Sequence, residues 1–268
     1  MIAWQHGVAH SADCQIAYRH AGRGQAVVLL HGYTDSAACW ELYAAQLVDS
    51  YTVIAYDARG HGTSSNPGRD YTNQANARDL AAVLDALAIE QPVLIGHSMG
   101  AWSAFAAAAL LPDRIRAVVL EDPPLFDYVE PPREPGVPPP PHIAWMAELK
   151  TLSTSELVER CLRENPTWQA GEVLAWVGAK EAFATERQPD GPETMVPWRT
   201  VLPQVRCPAL LITADPACGG AVDAATAREC RALNPHVEVA LIRGVGHSIR
   251  REAPDRYAAV VASFLGRV

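Results

Sequence analysis

Strand-sized apolar runs alternate with helix-length segments along most of the chain. The runs occupy residues 27–30, 52–56, 92–95, 115–120, 208–213 and 237–242. Segments long enough for helices lie between them, such as residues 73–87 and 98–111. Parallel strands need a crossover connection, and a helix is the usual one. The sequence therefore predicts an α/β fold with a parallel sheet joined by helices.

The alternation is interrupted between residues 123 and 203. Residues 123–141 hold a large share of the 21 prolines of the chain, including the run at 138–141. Proline can neither continue a helix nor donate to a sheet, so this stretch is predicted to be a loop or connector. Helical segments follow near 143–149, 155–163 and 170–186. We therefore expect a core of residues 1–122 and 204–268 and an inserted helical cap, or lid, of residues 123–203.

Composition and charge exclude several classes of function. The formal net charge is -8, without a basic stripe, which argues against nucleic acid as a partner. No apolar stretch is long enough to span a membrane, and the first residues lack the pattern of a secretory signal. The six cysteines are scattered and form no CxxC pair, so we expect free thiols, no metal and no cofactor. These features predict a cytoplasmic protein with a small-molecule substrate, either a monomer or a homodimer.

The pentapeptide Gly-His-Ser-Met-Gly at residues 96–100 lies between a predicted strand and a predicted helix. A serine lifted onto such a tight turn adopts a strained backbone, and the flanking glycines let neighbouring backbone approach closely. The helix amino terminus beneath it favours negative charge that develops nearby. Ser98 is therefore the candidate nucleophile, and the Met99 amide is one candidate donor to an oxyanion. The amide of Tyr33, in the loop after an early strand, is the other.

A serine nucleophile needs a general base, and His247 is the candidate. It lies in a glycine-rich loop that follows the last predicted strand, where its imidazole could accept the serine proton. The carboxylate that would orient this histidine has two main candidates. Asp215 directly follows one strand and is preferred, whereas Asp122 follows the preceding strand and is the alternative. His31 is expected to brace its loop rather than to take part in catalysis.

These motifs together resemble the α/β-hydrolase superfamily, over nearly the whole chain except the insertion. The resemblance rests on His31-Gly32, the loop at residues 57–62, the pentapeptide at 96–100 and Gly246-His247. It implies a mostly parallel, eight-stranded sheet with helices on both faces and a helical cap over the site. It also implies that the 57–62 loop is mainly structural. Members commonly carry the catalytic aspartate a few residues beyond the seventh strand, whereas Asp215 follows it at once.

The resulting prediction is a serine hydrolase of a small, neutral, partly apolar carboxylic ester, lactone or thioester. Carbon–carbon bond hydrolysis, acyl transfer and perhydrolysis run on the same residues and stay open, and a non-catalytic ligand receptor is a further alternative. A serine at this turn disfavours reactions that need an aspartate nucleophile there. Aromatic side chains that are expected to line the substrate pocket, with core packing as the alternative, are Trp102, Phe126, Trp145 and Trp176.

Overall fold

The computed structural model describes residues 2–68, 70–125, 141–183 and 197–268, and the eight strands within these residues form one sheet. Their order across the sheet is β1-β2-β4-β3-β5-β6-β7-β8. The strands are β1 (Gln5–Ser11), β2 (Cys14–Gly22), β3 (Ala26–Leu30), β4 (Thr52–Tyr56), β5 (Val93–His97), β6 (Ala117–Glu121), β7 (Ala209–Thr213) and β8 (Val237–Leu241). At one edge of the sheet, β1 pairs with β2 and β2 pairs with β4, both antiparallel. The remaining neighbours in this order, from β4 across the sheet to β8, pair in parallel. The predicted mostly parallel α/β fold is confirmed.

Helices cover both faces of this sheet. In the described residues they are α1 (Glu41–Ala44), α2 (Asn73–Ala86), α3 (Met99–Leu110), α4 (Pro141–Leu149), α5 (Thr154–Glu164), α6 (Ala170–Ala182), α7 (Trp198–Val201), α8 (Ala224–Leu233), α9 (Ile249–Glu252) and α10 (Pro254–Leu265). None of these helices has the length and hydropathy that a membrane crossing requires.

The central strands are apolar throughout because both of their faces are buried. In β3, alternate side chains enter two different cores. Val28 and Leu30 join a cluster that includes α2 and α3, whereas Val27 and Leu29 join one that includes α1 and α10. Side chains alternate between the faces of a strand, so a continuous apolar run fills both cores at once.

Helices α4, α5 and α6 fall within the residues that were expected to form a cap, and we call them the inserted helices. They share a third hydrophobic cluster, which is separate from the two cores on the sheet. The cluster includes Met146, Leu157, Trp168, Trp176 and Phe183. Helix α5 begins with a reciprocal capping box between Ser153 and Glu156. These helices therefore share a hydrophobic core of their own, and Tyr33, in the loop after β3, packs against it.

Candidate active site

Ser98 stands at the turn between β5 and α3, with φ 52° and ψ -117°. This conformation is strained for a residue with a side chain, and strain of this kind concentrates at functional sites. The two neighbouring glycines make the turn possible. A Cβ at Gly96 would overlap the carbonyl of Gly100, and one at Gly100 would overlap the carbonyl of Leu30. Backbone segments therefore approach each other here more closely than a side chain at position 96 or 100 would allow. The turn holds the serine at the carboxyl edge of the sheet.

His247 lies between β8 and α9, and its Nδ1 is 2.7 Å from Oδ2 of Asp122. Asp122 directly follows β6 and is fully buried, while 37% of the His247 side chain is exposed. The aspartate also accepts two backbone N–H bonds, from Ala221 at 2.8 Å and Val222 at 3.2 Å. A carboxylate only accepts, so the proton of the neutral imidazole lies on Nδ1. This tautomer leaves Nε2 able to act as a base.

The structure corrects the sequence-based preference for Asp215 as the partner of the histidine. The Asp215 carboxylate instead accepts the backbone N–H groups of Gly244 and Ala217, each at 3.1 Å. These two bonds hold the pKa of Asp215 below its usual range. They close the turn after β7 and connect it to the loop after β8, so Asp215 has a structural role. Of the two candidates, Asp122 is the one that the fold places against His247.

The turn that carries Ser98 and the loop that carries His247 are joined by contacts of neighbouring residues. The N–H of Ser98 donates to the carbonyl of Glu121 at 2.9 Å, directly before Asp122 in the chain. The ring of His97 lies 4.8 Å from that of His247, and its Nε2 is 3.1 Å from the His247 carbonyl. Burial, and then the repulsion that a protonated His247 exerts, holds the pKa of His97 well below its usual range. His97 is therefore neutral and donates its Nε2–H to that carbonyl, which links the nucleophile turn to the histidine loop.

A second buried link joins the same two regions. Glu121 accepts the backbone N–H of Arg250 at 2.9 Å and pairs with its guanidinium at 3.3 Å. The guanidinium also donates to the carbonyl of Cys39 and lies over the ring of Trp40. Burial raises the pKa of Glu121, and the charge of Arg250 opposes that rise. Helix α9, which begins two residues after His247, is thereby fixed to the end of β6.

The loop after β3 supplies the other side of the site. A Cβ at Gly32 would lie 2.7 Å from Nδ1 of His97, so glycine is needed for this loop to reach the nucleophile turn. His31 Nε2 accepts the N–H of Ala58 at 2.9 Å, and its Nδ1–H donates to the Gly32 carbonyl at 2.8 Å. Tyr33 follows Gly32 directly. Met99 is the first residue of α3, where the N–H has no partner within the helix. Met99 is thus at the nucleophile turn, and Tyr33 directly follows the glycine that approaches this turn, while the role of their amides as oxyanion donors stays a prediction.

The aromatic residues that were expected in a substrate pocket have different surroundings. Trp102 is buried beside Phe105, with ring centroids 5.0 Å apart, and belongs to a core cluster on the sheet. Trp145 and Trp176 pack edge to face at 6.2 Å in the inserted helices. Phe126 lies outside the described residues. For Trp102 the structure thus shows the core packing that was the alternative, and a contact of these side chains with substrate stays a prediction.

Two features near the site were missed by sequence reasoning. Phe183, just after α6, packs 5.2 Å from the rings of both Tyr33 and His61. A buried ionic network joins Asp35, two residues after Tyr33, to Lys180 on α6 and Arg251 on α9. Burial alone would raise the pKa of Asp35, but these two cations hold it well below its usual range. Both contacts join residues far apart in the chain, and no local pattern signals them.

Comparison with known proteins agrees with this architecture. The model of the alpha/beta hydrolase family matches residues 27–260. The chain is 32% identical to N-formylmaleamate deformylase of Pseudomonas putida KT2440, over 92% of this chain and 91% of that protein. The crystal structure of E-2-(acetamidomethylene)succinate hydrolase superposes with a TM-score of 0.79, at 21% identity, over 98% of this chain and 99% of the other. Naproxen esterase from Bacillus subtilis superposes with a TM-score of 0.78, at 21% identity, over 98% and 92%. The chain belongs to the alpha/beta hydrolase family and is a hydrolase.

Proposed function

We propose that this protein is a serine hydrolase that cleaves its substrate through an acyl-enzyme on Ser98. The observation that carries the proposal is the bond between His247 Nδ1 and the buried carboxylate of Asp122, beside the strained turn of Ser98. The aspartate fixes the tautomer and stabilises the imidazolium that forms during the reaction. A histidine held in this way, next to a serine on such a turn, is the arrangement that nucleophilic acyl transfer requires.

The reaction proceeds in two halves. His247 Nε2 takes the proton of the Ser98 hydroxyl as Oγ bonds to the substrate carbonyl carbon, and the carbonyl oxygen becomes an oxyanion. The amides of Tyr33 and Met99 stabilise that oxyanion, each contributing roughly 3–4 kcal/mol. The bond to the leaving group then breaks, and the leaving group takes the proton from His247. Water attacks the acyl-enzyme by the same steps in reverse and releases the acid, which restores the free serine.

For the substrate we propose a small, neutral, partly apolar carboxylic ester. The charges around the site support this choice. Among the described residues, the buried cations nearest the site are each paired with a carboxylate: Lys180 with Asp35, Arg251 with Asp35 and Glu172, and Arg250 with Glu121. A cation already neutralised offers little to an anionic group, whereas the aromatic surfaces of Trp145 and Trp176 suit an apolar one.

A second candidate is the cleavage of an N-acyl bond, such as a formamide, in a small carboxylated molecule. It is favoured by the match to N-formylmaleamate deformylase, which extends over nearly the full length of both chains. The steps would be the same, with nitrogen as the leaving atom and His247 as the acid that protonates it. In this reaction His247 has to protonate the leaving nitrogen as the C–N bond breaks, because a nitrogen anion is a poor leaving group.

Steady-state hydrolysis of p-nitrophenyl butyrate and of N-formylmaleamate separates the two candidates. With Ser98→Ala as the matched control, we expect the wild type to hydrolyse the ester and the variant to lose that activity by about 10⁶-fold. Turnover of N-formylmaleamate alone would favour the second candidate. Equal activity in the wild type and the variant would contradict the proposal, because Ser98 could not then be the nucleophile. Inactivity towards both substrates, together with no reaction of Ser98 with a fluorophosphonate, would indicate a binding protein.

A further inference from the structure

Lys180 is a buried lysine on the inserted helix α6, and its ammonium group reaches the loop after β3. Only 2% of its side chain is exposed. Its ammonium group donates to the carbonyl of Thr34 at 2.9 Å and to Oδ1 of Asp35 at 3.0 Å. The same group lies 4.9 Å from the centroid of the Trp176 ring. A lysine that is desolvated to this degree, and whose partners are both in one short loop, fixes that loop in position.

The loop in question is the turn that contains Tyr33. The N–H of Asp35 donates to the carbonyl of Gly32 at 3.1 Å, so Tyr33 and Thr34 are the two central residues of a β-turn. Thr34 has φ 64°, a value typical of the third position of a type II turn, where glycine or asparagine is usual. A β-branched residue is a genuine outlier there, so the turn is strained and needs outside contacts to persist.

The contact to the Thr34 carbonyl distinguishes Lys180 from the other charged residues of the network. On the same helix, two turns earlier, Glu172 pairs with Arg251 at 2.8 Å and so ties α6 to the segment after His247. Arg251 in turn holds the second oxygen of Asp35 at 3.1 Å. Glu172 attaches the helix without touching the strained turn. Lys180 alone among these charged side chains bonds to the backbone of that turn.

We propose that Lys180 is a positioning residue for the oxyanion hole, because it holds the Thr34 backbone in the strained turn that presents the Tyr33 amide. The proposal rests on the proposed function, in which that amide stabilises the oxyanion. Loss of the lysine would let Thr34 relax and displace the Tyr33 N–H, which precedes it in the same turn. The inserted helix would thereby contribute to transition-state stabilisation through a residue that does not touch the substrate.

The test compares Lys180→Met with Glu172→Gln, a control on the same helix that breaks an ion pair but leaves the turn untouched. Each variant is assayed with p-nitrophenyl butyrate and with its thiono analogue, in which sulfur replaces the carbonyl oxygen. Sulfur accepts hydrogen bonds poorly, so a functioning oxyanion hole favours the oxygen ester. We expect Lys180→Met to lower kcat for the oxygen ester, and the oxygen-to-sulfur rate ratio, by about 100-fold, with KM little changed. Glu172→Gln should keep the wild-type ratio.

Two further variants test whether relief of the strain at Thr34 restores the rate ratio and cover the case in which Lys180→Met does not fold. Thr34→Gly in the Lys180→Met background should recover much of the lost ratio, because glycine adopts a positive φ without strain. If Lys180→Met does not fold, the charge-balanced double variant Lys180→Met/Asp35→Asn takes its place, with the same expected loss.

An unchanged ratio in the lysine variant, or an equal loss in Glu172→Gln, would overturn the inference. If the wild type shows no ester hydrolysis that depends on Ser98, the proposed function itself fails, which is a distinguishable result.

Discussion

Replacing Asp122 by asparagine removes the charge that faces His247 while keeping the shape of the side chain. Both carboxylate oxygens accept hydrogen bonds, Oδ2 from His247 and Ala221, and Oδ1 from Val222. An amide has one oxygen only, so its NH₂ group must face a donor on one side. If that group faces the imidazole, Nδ1 has to become the acceptor and the proton moves to Nε2. The base that should receive the Ser98 proton is then already protonated. If the group faces Val222 instead, the tautomer is kept, but the negative charge that stabilises the imidazolium is lost.

The expected loss in kcat is about 10⁴-fold, which corresponds to roughly 5.5 kcal/mol of transition-state stabilisation. KM should change little, because the buried aspartate makes no contact with the substrate. The assay is steady-state hydrolysis of p-nitrophenyl butyrate, with circular dichroism to show that the variant is folded.

Asp215→Asn is the matched control, since the same substitution is made at the other strand end. The Asp215 carboxylate accepts the backbone N–H groups of Ala217 and Gly244 and makes no bond to the His247 side chain, so kcat should stay within about threefold of the wild type. The reasoning would be refuted if Asp215→Asn lost activity by several orders of magnitude while Asp122→Asn retained it.

Three further predictions concern stability. Gly100→Ala should lower the free energy of unfolding in urea by about 1–3 kcal/mol or prevent folding, because the new Cβ overlaps the carbonyl of a neighbouring strand. His97 is held neutral in the fold, so the unfolded chain binds an extra proton below about pH 6.5 and stability should fall as the pH is lowered from there. His97→Asn should flatten this slope in urea titrations at several pH values, and an unchanged slope would exclude His97 as its source. Arg59→Met should cost about 3–5 kcal/mol in thermal or urea unfolding, because Asp79, paired with Arg59 at 2.7 Å and 1% exposed, would be left as an unpaired buried charge. A loss below about 1 kcal/mol would contradict this account of that pair.

The parallel strands could be predicted from the sequence because burial on both faces makes each of them continuously apolar. The antiparallel pair β1 and β2 at the edge of the sheet could not be predicted from apolar runs. Strands β1 and β2 contain Gln5, His6 and Arg19 among their residues and have partly exposed faces, so their pattern is mixed. Their existence followed only from the resemblance to the α/β-hydrolase superfamily. Helix α6 was expected to extend to residue 186 and ends at Ala182.

The candidate site could be predicted where chemistry and chain order coincide in one local motif, as at Ser98. The acid could not, because Asp122 and Asp215 both lie within two residues of a strand end, and the sequence does not show which strand end faces His247. Trp102 illustrates a related limit. Helix α3 is buried on nearly all sides, so it has no polar face that would reveal the direction of any one side chain. The bond from Lys180 to Thr34 spans 146 residues and could be found only in three dimensions.

Labelling with a fluorophosphonate tests most directly whether Ser98 is a nucleophile that His247 activates. The reagent forms a stable covalent bond to an activated serine, and the adduct is located by mass spectrometry of peptides. We expect one adduct per chain on the peptide that contains Ser98, none in Ser98→Ala, and labelling slowed by about 10³-fold or more in His247→Ala. An adduct on another residue, or labelling of Ser98 at the same rate without His247, would contradict the assignment of the nucleophile and its base.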